Sequence, residues 1–187
     1  MDKLADHERY QTFWRRFAAG ILDGGVLLPL SWFDQWIWDN VTTTAILVTW
    51  FIMNSLSYLL YSVLLHGYFG QTVGKRLVSV KVFDLSGSKL SMKQAILRDS
   101  VWIVLTLYGV LIDLPGIFEG KNPYSSTSEL SLALLVSLYA AAAWFVLELI
   151  TMLTNPKRRA IHDFIAGSVV MRLDGAQRDI NEQLGNA

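Results

Sequence analysis

Seven ionisable residues fall within or beside strongly apolar stretches of this chain, where each needs a charged partner or water. This charged cluster consists of Arg16, Asp23, Arg98, Asp99, Glu148, His162 and Asp163. Carboxylates and guanidinium groups in such a setting either neutralise one another and hold helices together, or form a polar pocket that binds a cation or a proton. The residue types alone leave both interpretations open.

Other kinds of site chemistry are missing from the sequence. The chain has no cysteine, which excludes disulfides, thiolate metal sites and a cysteine nucleophile. Its three histidines (His7, His66 and His162) lack the i+3 or i+4 spacing of a metal pair. There is neither a G-x-S-x-G elbow nor a Walker glycine loop. We therefore expect no metal, no cofactor and no enzymatic activity.

The composition indicates a membrane as the surroundings of this cluster. The chain has 187 residues, of which 52% are hydrophobic and 17% charged, with a mean hydropathy of +0.35. A soluble domain carries about 25% charged residues. Basic and acidic residues cancel to a net charge of zero, so bulk charge gives no reason to expect nucleic acid as a partner. The lipid bilayer is the expected partner.

Four apolar stretches are long enough to be membrane spans. A bilayer core of ~30 Å requires about 20 mostly apolar residues in a helix. The predicted spans cover residues 17–33, 44–65, 95–114 and 130–153. A soluble protein with four buried helices is the alternative, but the stretch 130–147 has no polar stripe at helical spacing. We therefore favour the membrane.

The distribution of lysine and arginine predicts the orientation of these spans. Residues 1–16 before the first span, the loop 67–94 and residues 154–187 after the fourth span carry four, five and five basic residues. The loop 34–43 carries none, and the loop 115–128 carries one, Lys121. Both termini and the loop 67–94 are therefore expected in the cytoplasm. Three tryptophans between Trp32 and Trp38 suit the outer interface.

Two loop segments have the composition of strands. Leu77–Phe83 is rich in β-branched and aromatic residues, and Val169–Arg172 resembles it. Asp84–Ser88 between the first of them and the third span reads as a turn. A small two-stranded sheet on the cytoplasmic side is the resulting hypothesis.

Capping signals predict two helix boundaries outside the apolar cores. Ser91 and Gln94 match a capping box, which starts a helix at Met92. Asn155 followed by proline reads as the start of a short interfacial helix, which reaches to about residue 166. Gly167 then follows as the terminating glycine.

Depth along the helices predicts which charges meet. At 1.5 Å rise per residue, Asp23 lies roughly 10–13 Å and Arg98 roughly 5–7 Å inside the cytoplasmic boundary. We therefore expect Arg98 to pair with Asp23, and Arg16 with Asp163. Gly20 and Gly24 form G-x-x-x-G on the first span, which permits close helix packing within the chain or, alternatively, dimerisation.

These motifs, taken together and in this order, resemble the RDD family of integral membrane proteins, which is named for one arginine and two aspartates. Arg16 and Asp23 match in RRFAAGILDG, and GQTVGKR stands at residues 70–76. Arg98-Asp99 opens the third span, and RRAIHDFIAGS stands at residues 158–168. The resemblance implies that the second family aspartate is Asp163. It also implies a membrane protein that handles an unknown ligand.

The expected fold is an all-α transmembrane helical bundle of about four membrane-spanning helices. It includes a short cytoplasmic interfacial helix and a small two-stranded β element. We divide the chain into a cytoplasmic arm (1–14), an RDD-like membrane domain (15–172) and a polar cytoplasmic tail (173–187). A bacterial inner membrane is the expected location. The function is expected to be a small transporter or transport accessory. The alternative is a scaffold or assembly factor that docks a membrane partner protein, and a homo-oligomer is compatible with both.

Overall fold

The structure is a computed structural model and describes residues 8–123 and 132–173. Along the chain the elements are α1 (Phe13–Asn40), α2 (Thr44–Phe69), α3 (Val73–Leu77), β1 (Val80–Asp84), α4 (Met92–Arg98), α5 (Ser100–Phe118), α6 (Leu132–Thr154), α7 (Ile161–Ile165) and β2 (Ser168–Arg172). The predicted start of the fourth span at Leu130, most of the tail and the first half of the arm lie outside the described residues.

Four helices, α1, α2, α5 and α6, are long and apolar enough to cross a membrane. Their side chains are largely exposed, as on α5, where Val104 and Leu111 are 65% and 71% exposed. In water such surfaces would drive aggregation, whereas lipid tails solvate them. The predicted four-span helical bundle is confirmed.

The first span is longer than the sequence predicts. Residues 34–40, predicted as the start of a loop, continue α1, and only residues 41–43 connect it to α2. The extension buries Ile37 in an apolar cluster with Leu47, Phe51 and Ile117. Trp50 Nε1 also donates to Asp34 Oδ1 at 2.7 Å. We call this end of the bundle the apolar end.

The third span is divided into two helices, so its predicted start at residue 95 is wrong. The capping box at Ser91 and Gln94 is present and starts α4 at Met92, as predicted. However, α4 ends at Arg98, and Asp99 separates it from α5 with a ψ of 7°. Only α5 is long enough to cross the membrane.

A small sheet lies at the opposite end of the bundle, together with α3, α4 and α7. We call this the polar end. Strands β1 and β2 pair antiparallel, from Val80 opposite Arg172 to Asp84 opposite Ser168. The predicted sheet is confirmed, although β1 starts at Val80 because Leu77 belongs to α3 and Ser79 has a φ of 56°.

The segment after α6 turns before it becomes helical again. Asn155 Oδ1 accepts from the Lys157 N–H at 2.8 Å, and Arg158 has a φ of 49°. A left-handed residue cannot continue a helix, so the predicted helix start at Asn155 is wrong and α7 begins at Ile161. The predicted end is confirmed, since Gly167 follows α7 with a φ of 61°.

Candidate functional site

Asp163 on α7 is the anion at the centre of the polar end, and its side chain is fully buried. Arg16 Nη2 lies 2.8 Å from its Oδ2 atom, and Arg98 contacts its Oδ1 atom. The Ala160 N–H donates to Oδ2 at 3.0 Å, and the Ser168 hydroxyl donates to Oδ1 at 3.2 Å. Each carboxylate oxygen therefore has two donors. The predicted pair of Arg16 with Asp163 is confirmed.

These donors keep the carboxylate ionised. Burial opposes ionisation of Asp163, but the charges of Arg16 and Arg98 outweigh it and hold the pKa of the carboxyl well below its ordinary value. Burial in turn lowers the pKa of Arg98. An arginine side chain nevertheless stays protonated in proteins. One buried anion thus faces two buried cations, and the excess positive charge requires a further partner.

Glu148 on α6 supplies that partner through the ring of His162. Its Oε1 atom contacts Nδ1 of His162, and Nε2 of the same ring lies 3.0 Å from Arg16 Nη2 and 2.8 Å from Arg98 Nη2. Guanidinium nitrogens only donate, so Nε2 must accept and the proton lies on Nδ1. Burial, followed by the charge of Arg98, lowers the pKa of His162, in agreement with a neutral ring.

Asp23, deep in α1, is held by uncharged donors. The Tyr61 hydroxyl donates to its Oδ1 atom at 2.6 Å, the Thr72 hydroxyl to Oδ2 at 2.6 Å, and the Gly74 N–H to Oδ1 at 2.7 Å. The predicted pair of Arg98 with Asp23 is therefore wrong. The guanidinium of Arg98 contacts Asp163 and His162 on α7 instead. The hydrogen bonds of Asp23, which lies on α1, join this helix to α2 and α3.

The close approach between α1 and α3 depends on Gly74. A Cβ atom at Gly74 would lie only 2.2 Å from the Ala19 carbonyl oxygen and 2.8 Å from Asp23 Oδ1. By contrast, a Cβ atom at Gly20 or Gly24 would meet nothing within 4 Å. The close packing predicted at Gly20 and Gly24 is therefore not made within the described residues, because α3 reaches α1 beside Ala19 instead.

Lys75, His66, Ser62 and Asp99 form one continuous hydrogen-bonded chain. Ser62 Oγ donates to Asp99 Oδ2 at 2.7 Å, so it must accept from Nδ1 of His66 at 3.2 Å. The other ring nitrogen, Nε2, then accepts from Lys75 Nζ at 2.9 Å. All donor and acceptor roles agree along the chain, which joins a cation on α3 to a carboxylate between α4 and α5.

The pKa of Lys75 reflects this setting. Burial, followed by the charges of Arg98 and Arg16, lowers the pKa of its amino group to about 7. The nearby carboxylates of Asp23 and Asp99 oppose this shift. Lys75 is thus poised to exchange a proton near neutral pH, at one end of the hydrogen-bonded chain.

These groups surround a cavity of about 430 Å³ between the four long helices. We call it the charged cavity. Its acidic, basic and histidine lining residues are Arg16, Asp23, His66, Lys75, Arg98, Asp99, Glu148 and His162. Six of the seven predicted cluster residues line it, and the seventh, Asp163, lies behind the two arginines. Gly20 lines the cavity as well, whereas Gly24 does not.

Sequence motifs did not indicate much of the α2–α3 side of this site. Lys75 counted only as a basic loop residue, and neither Ser62 nor Tyr61 was singled out. One local signal was available, because Thr72 caps α3 by accepting from the Lys75 N–H at 3.3 Å. That cap predicts a short helix, but a local hydrogen bond carries no information on whether the helix packs against α1.

The described side chains that line the charged cavity do not form a metal site. Within residues 8–123 and 132–173, no three His, Asp or Glu side chains are grouped so that they could hold a metal ion. The cavity instead combines carboxylates with protonated arginines and neutral imidazoles.

Four membrane-crossing helices with buried ion pairs gathered at one end define a multi-pass membrane protein. The sequence model of the RDD family matches residues 10–167, so the chain belongs to the RDD family. This match confirms the resemblance drawn from the sequence motifs. Comparisons with curated proteins and with solved structures found no significant match.

Proposed function

We propose that the charged cavity binds a monovalent cation or a proton, and that this RDD protein is a small transporter or transport accessory and not an enzyme. The observation that carries the proposal is the cavity itself. It lies between four membrane-crossing helices and is lined by carboxylates from three separate parts of the chain, namely Asp23, Asp99 and Glu148.

The charge balance of the site favours a positively charged ligand. The cavity and the residue behind it contain the cations Arg16, Lys75 and Arg98, and the carboxylates Asp23, Asp99, Glu148 and Asp163. With neutral histidines, one negative charge is left over even when Lys75 is protonated. A bound monovalent cation or an additional proton would neutralise it. Uncompensated charge inside a membrane is costly, so this balance favours occupancy.

The hydrogen-bonded chain provides a route for a proton. Lys75 can pass a proton to Nε2 of His66, while Nδ1 releases its proton to Ser62 and the Ser62 hydroxyl proton moves to Asp99. The transfer leaves Lys75 and Asp99 neutral and His66 in its other tautomer. No bond needs to form beyond those whose partners already lie within 3.2 Å of each other.

Transport would further require the apolar end to open. Ile37, Leu47, Phe51 and Ile117 pack together there in an apolar cluster, which a charged ligand would have to pass. The excess of lysine and arginine on loops at the polar end supports a cytoplasmic position for that end and for both termini, in a bacterial inner membrane.

The proposal is tested by flux measurements in proteoliposomes with Na⁺, K⁺ and pH gradients. Glu148→Gln removes a charge from the cavity lining and retains an oxygen that accepts from His162. We expect it to reduce flux at least ~10-fold. The matched control, Glu119→Gln, changes a carboxylate whose side chain is 63% exposed. Equal flux in both variants would contradict the proposal, and no flux in the wild type would exclude a transporter that acts alone.

A second candidate function is a membrane scaffold that docks a partner protein or a second copy of the chain. It is favoured by the surface of α1 outside the charged cavity, where Gly24 and Gly25 are exposed and have open space around them. Such a surface allows close approach of another helix. Co-purification of one partner that is lost in Gly24→Leu, in a protein without flux, would favour this function over transport.

A further inference from the structure

A second cavity, of about 470 Å³, lies at the polar end beside the last turn of α2. Helix α3 separates it from the charged cavity, because Val73 and Arg76 line the new cavity whereas Lys75 lines the charged one. We call it the basic pocket, and its charged residues are Arg76, Lys81 and Lys89. It takes no part in the function proposed above.

The charge of the basic pocket is of one sign. No acidic residue lines it, and the ion pairs found in residues 8–123 and 132–173 include none of its three cations. The stem of Lys81 runs over Gly70, where a Cβ atom would lie 3.0 Å from Lys81 Cε. Arg76 and Lys89 also line the pocket and are exposed. Three cations around one hollow attract an anion.

The other wall of the basic pocket is apolar and belongs to a membrane span. Tyr68 and Phe69, which end α2, are 60% and 61% exposed and line the pocket. Leu60 and Leu64 precede Tyr68 at four-residue intervals, so the three side chains form one exposed stripe along α2. The stripe runs from the membrane-crossing part of the helix directly into the pocket.

From this juxtaposition we infer that the basic pocket binds the phosphate headgroup of an anionic phospholipid, whose acyl chain lies along the Leu60–Leu64–Tyr68 stripe. Arginine offers a planar fork of donors that matches phosphate oxygens, and lysines add point charges. Aromatic residues at the end of a span mark the depth of the headgroups. A free phosphate would use the cations but would leave the apolar wall without a partner.

The inference is tested on the full chain, purified in detergent and stripped of lipid. Binding of phosphatidylglycerol is compared with that of phosphatidylcholine by native mass spectrometry. The triple variant Arg76→Gln, Lys81→Gln, Lys89→Gln removes the three cations. The control triple variant Lys93→Gln, Lys121→Gln, Lys157→Gln removes the same charge from exposed positions outside the pocket. A thermal melt of each protein monitors folding.

We expect the wild type and the control to prefer phosphatidylglycerol, and the pocket variant to lose that preference. A basic residue near an anionic headgroup contributes roughly fivefold to affinity, so the expected loss is about 100-fold. If the pocket variant does not fold, the single variants Arg76→Gln and Lys89→Gln should each lose about fivefold. Equal loss in both triple variants would overturn the inference. So would full competition by glycerol phosphate, which would indicate a site for soluble phosphate.

Discussion

Lys75 Nζ lies 2.9 Å from His66 Nε2, although the two residues belong to different helices. This contact holds an amine beside an imidazole within reach of two guanidinium groups. Burial and the charges of Arg98 and Arg16 lower the pKa of Lys75 to about 7, from an ordinary value of 10.5. The folded and unfolded chains therefore bind different numbers of protons between these two pH values.

Lys75→Met is expected to alter the pH dependence of stability. Between about pH 7 and 10.5 the unfolded wild type binds a proton at Lys75 that the folded protein does not. The free energy of unfolding should therefore rise with pH across this window, with a limiting slope of about 1.4 kcal/mol per pH unit. The variant should lack this contribution. Unfolding in detergent at pH 6 to 10 measures it, with the exposed Lys93→Met as control. Parallel profiles for wild type and Lys75→Met would contradict the low pKa.

Asp163→Asn is expected to destabilise the protein severely. The substitution leaves the guanidinium groups of Arg16 and Arg98 buried without their shared anion. Removing one partner of a buried ion pair costs about 3–5 kcal/mol. The measurement is the midpoint of chemical unfolding in detergent, together with the yield from the membrane. Asp39→Asn, at an exposed position on α1, should behave as the wild type. A stable Asp163→Asn variant would show that the ion pairs are dispensable for folding.

Gly74→Ala should disrupt the seating of α3 on α1. The new Cβ atom would lie 2.2 Å from the Ala19 carbonyl oxygen, so a helix must move. We expect a loss of about 1–3 kcal/mol or a failure to fold. Gly109→Ala is the matched control, because a Cβ atom there meets nothing within 4 Å. It should be neutral or stabilise α5 by up to about 1 kcal/mol. Similar thermal stability of the two variants would refute the close contact.

Single cysteines can test the proposed orientation, since the natural chain has none. Lys93→Cys lies at the start of α4 at the polar end, and Lys121→Cys follows α5, with a wild-type side chain that is 72% exposed. A membrane-impermeant maleimide should label position 121 from outside the cell and position 93 only after the membrane is opened. The reverse pattern would place the charged cavity and the basic pocket on the outer side.

Local signals in the sequence predicted local structure well. The capping box at Ser91 starts α4 where expected, because its hydrogen bonds involve only neighbouring residues. Gly167 ends α7 for a similar reason, since its left-handed φ suits glycine. The start predicted at Asn155 failed, because the left-handed turn at Arg158 depends on how the chain leaves α6. The Nη1 atom of Arg158 donates a hydrogen bond to the Leu153 carbonyl oxygen at the end of α6.

Charge pairing followed the sequence only in part. Depth along the helices correctly predicted that the charged residues lie at one end of the bundle, and that Arg16 pairs with Asp163. Depth does not specify the direction in which a side chain leaves its helix. For this reason depth did not predict that Arg98 pairs with Asp163. Asp23 accepts hydrogen bonds from three uncharged donors instead.

The amino-acid sequence alone determined that the chain crosses a membrane four times and that buried charges gather near one face. Both follow from the lengths of the apolar runs and the positions of ionisable residues within them. Only the tertiary structure decided that α3 folds against α1, that Lys75 enters the cavity and that Asp99 divides the third span. These features arise from contacts between residues distant in the chain, and helix rotation and backbone breaks set such contacts independently of hydropathy.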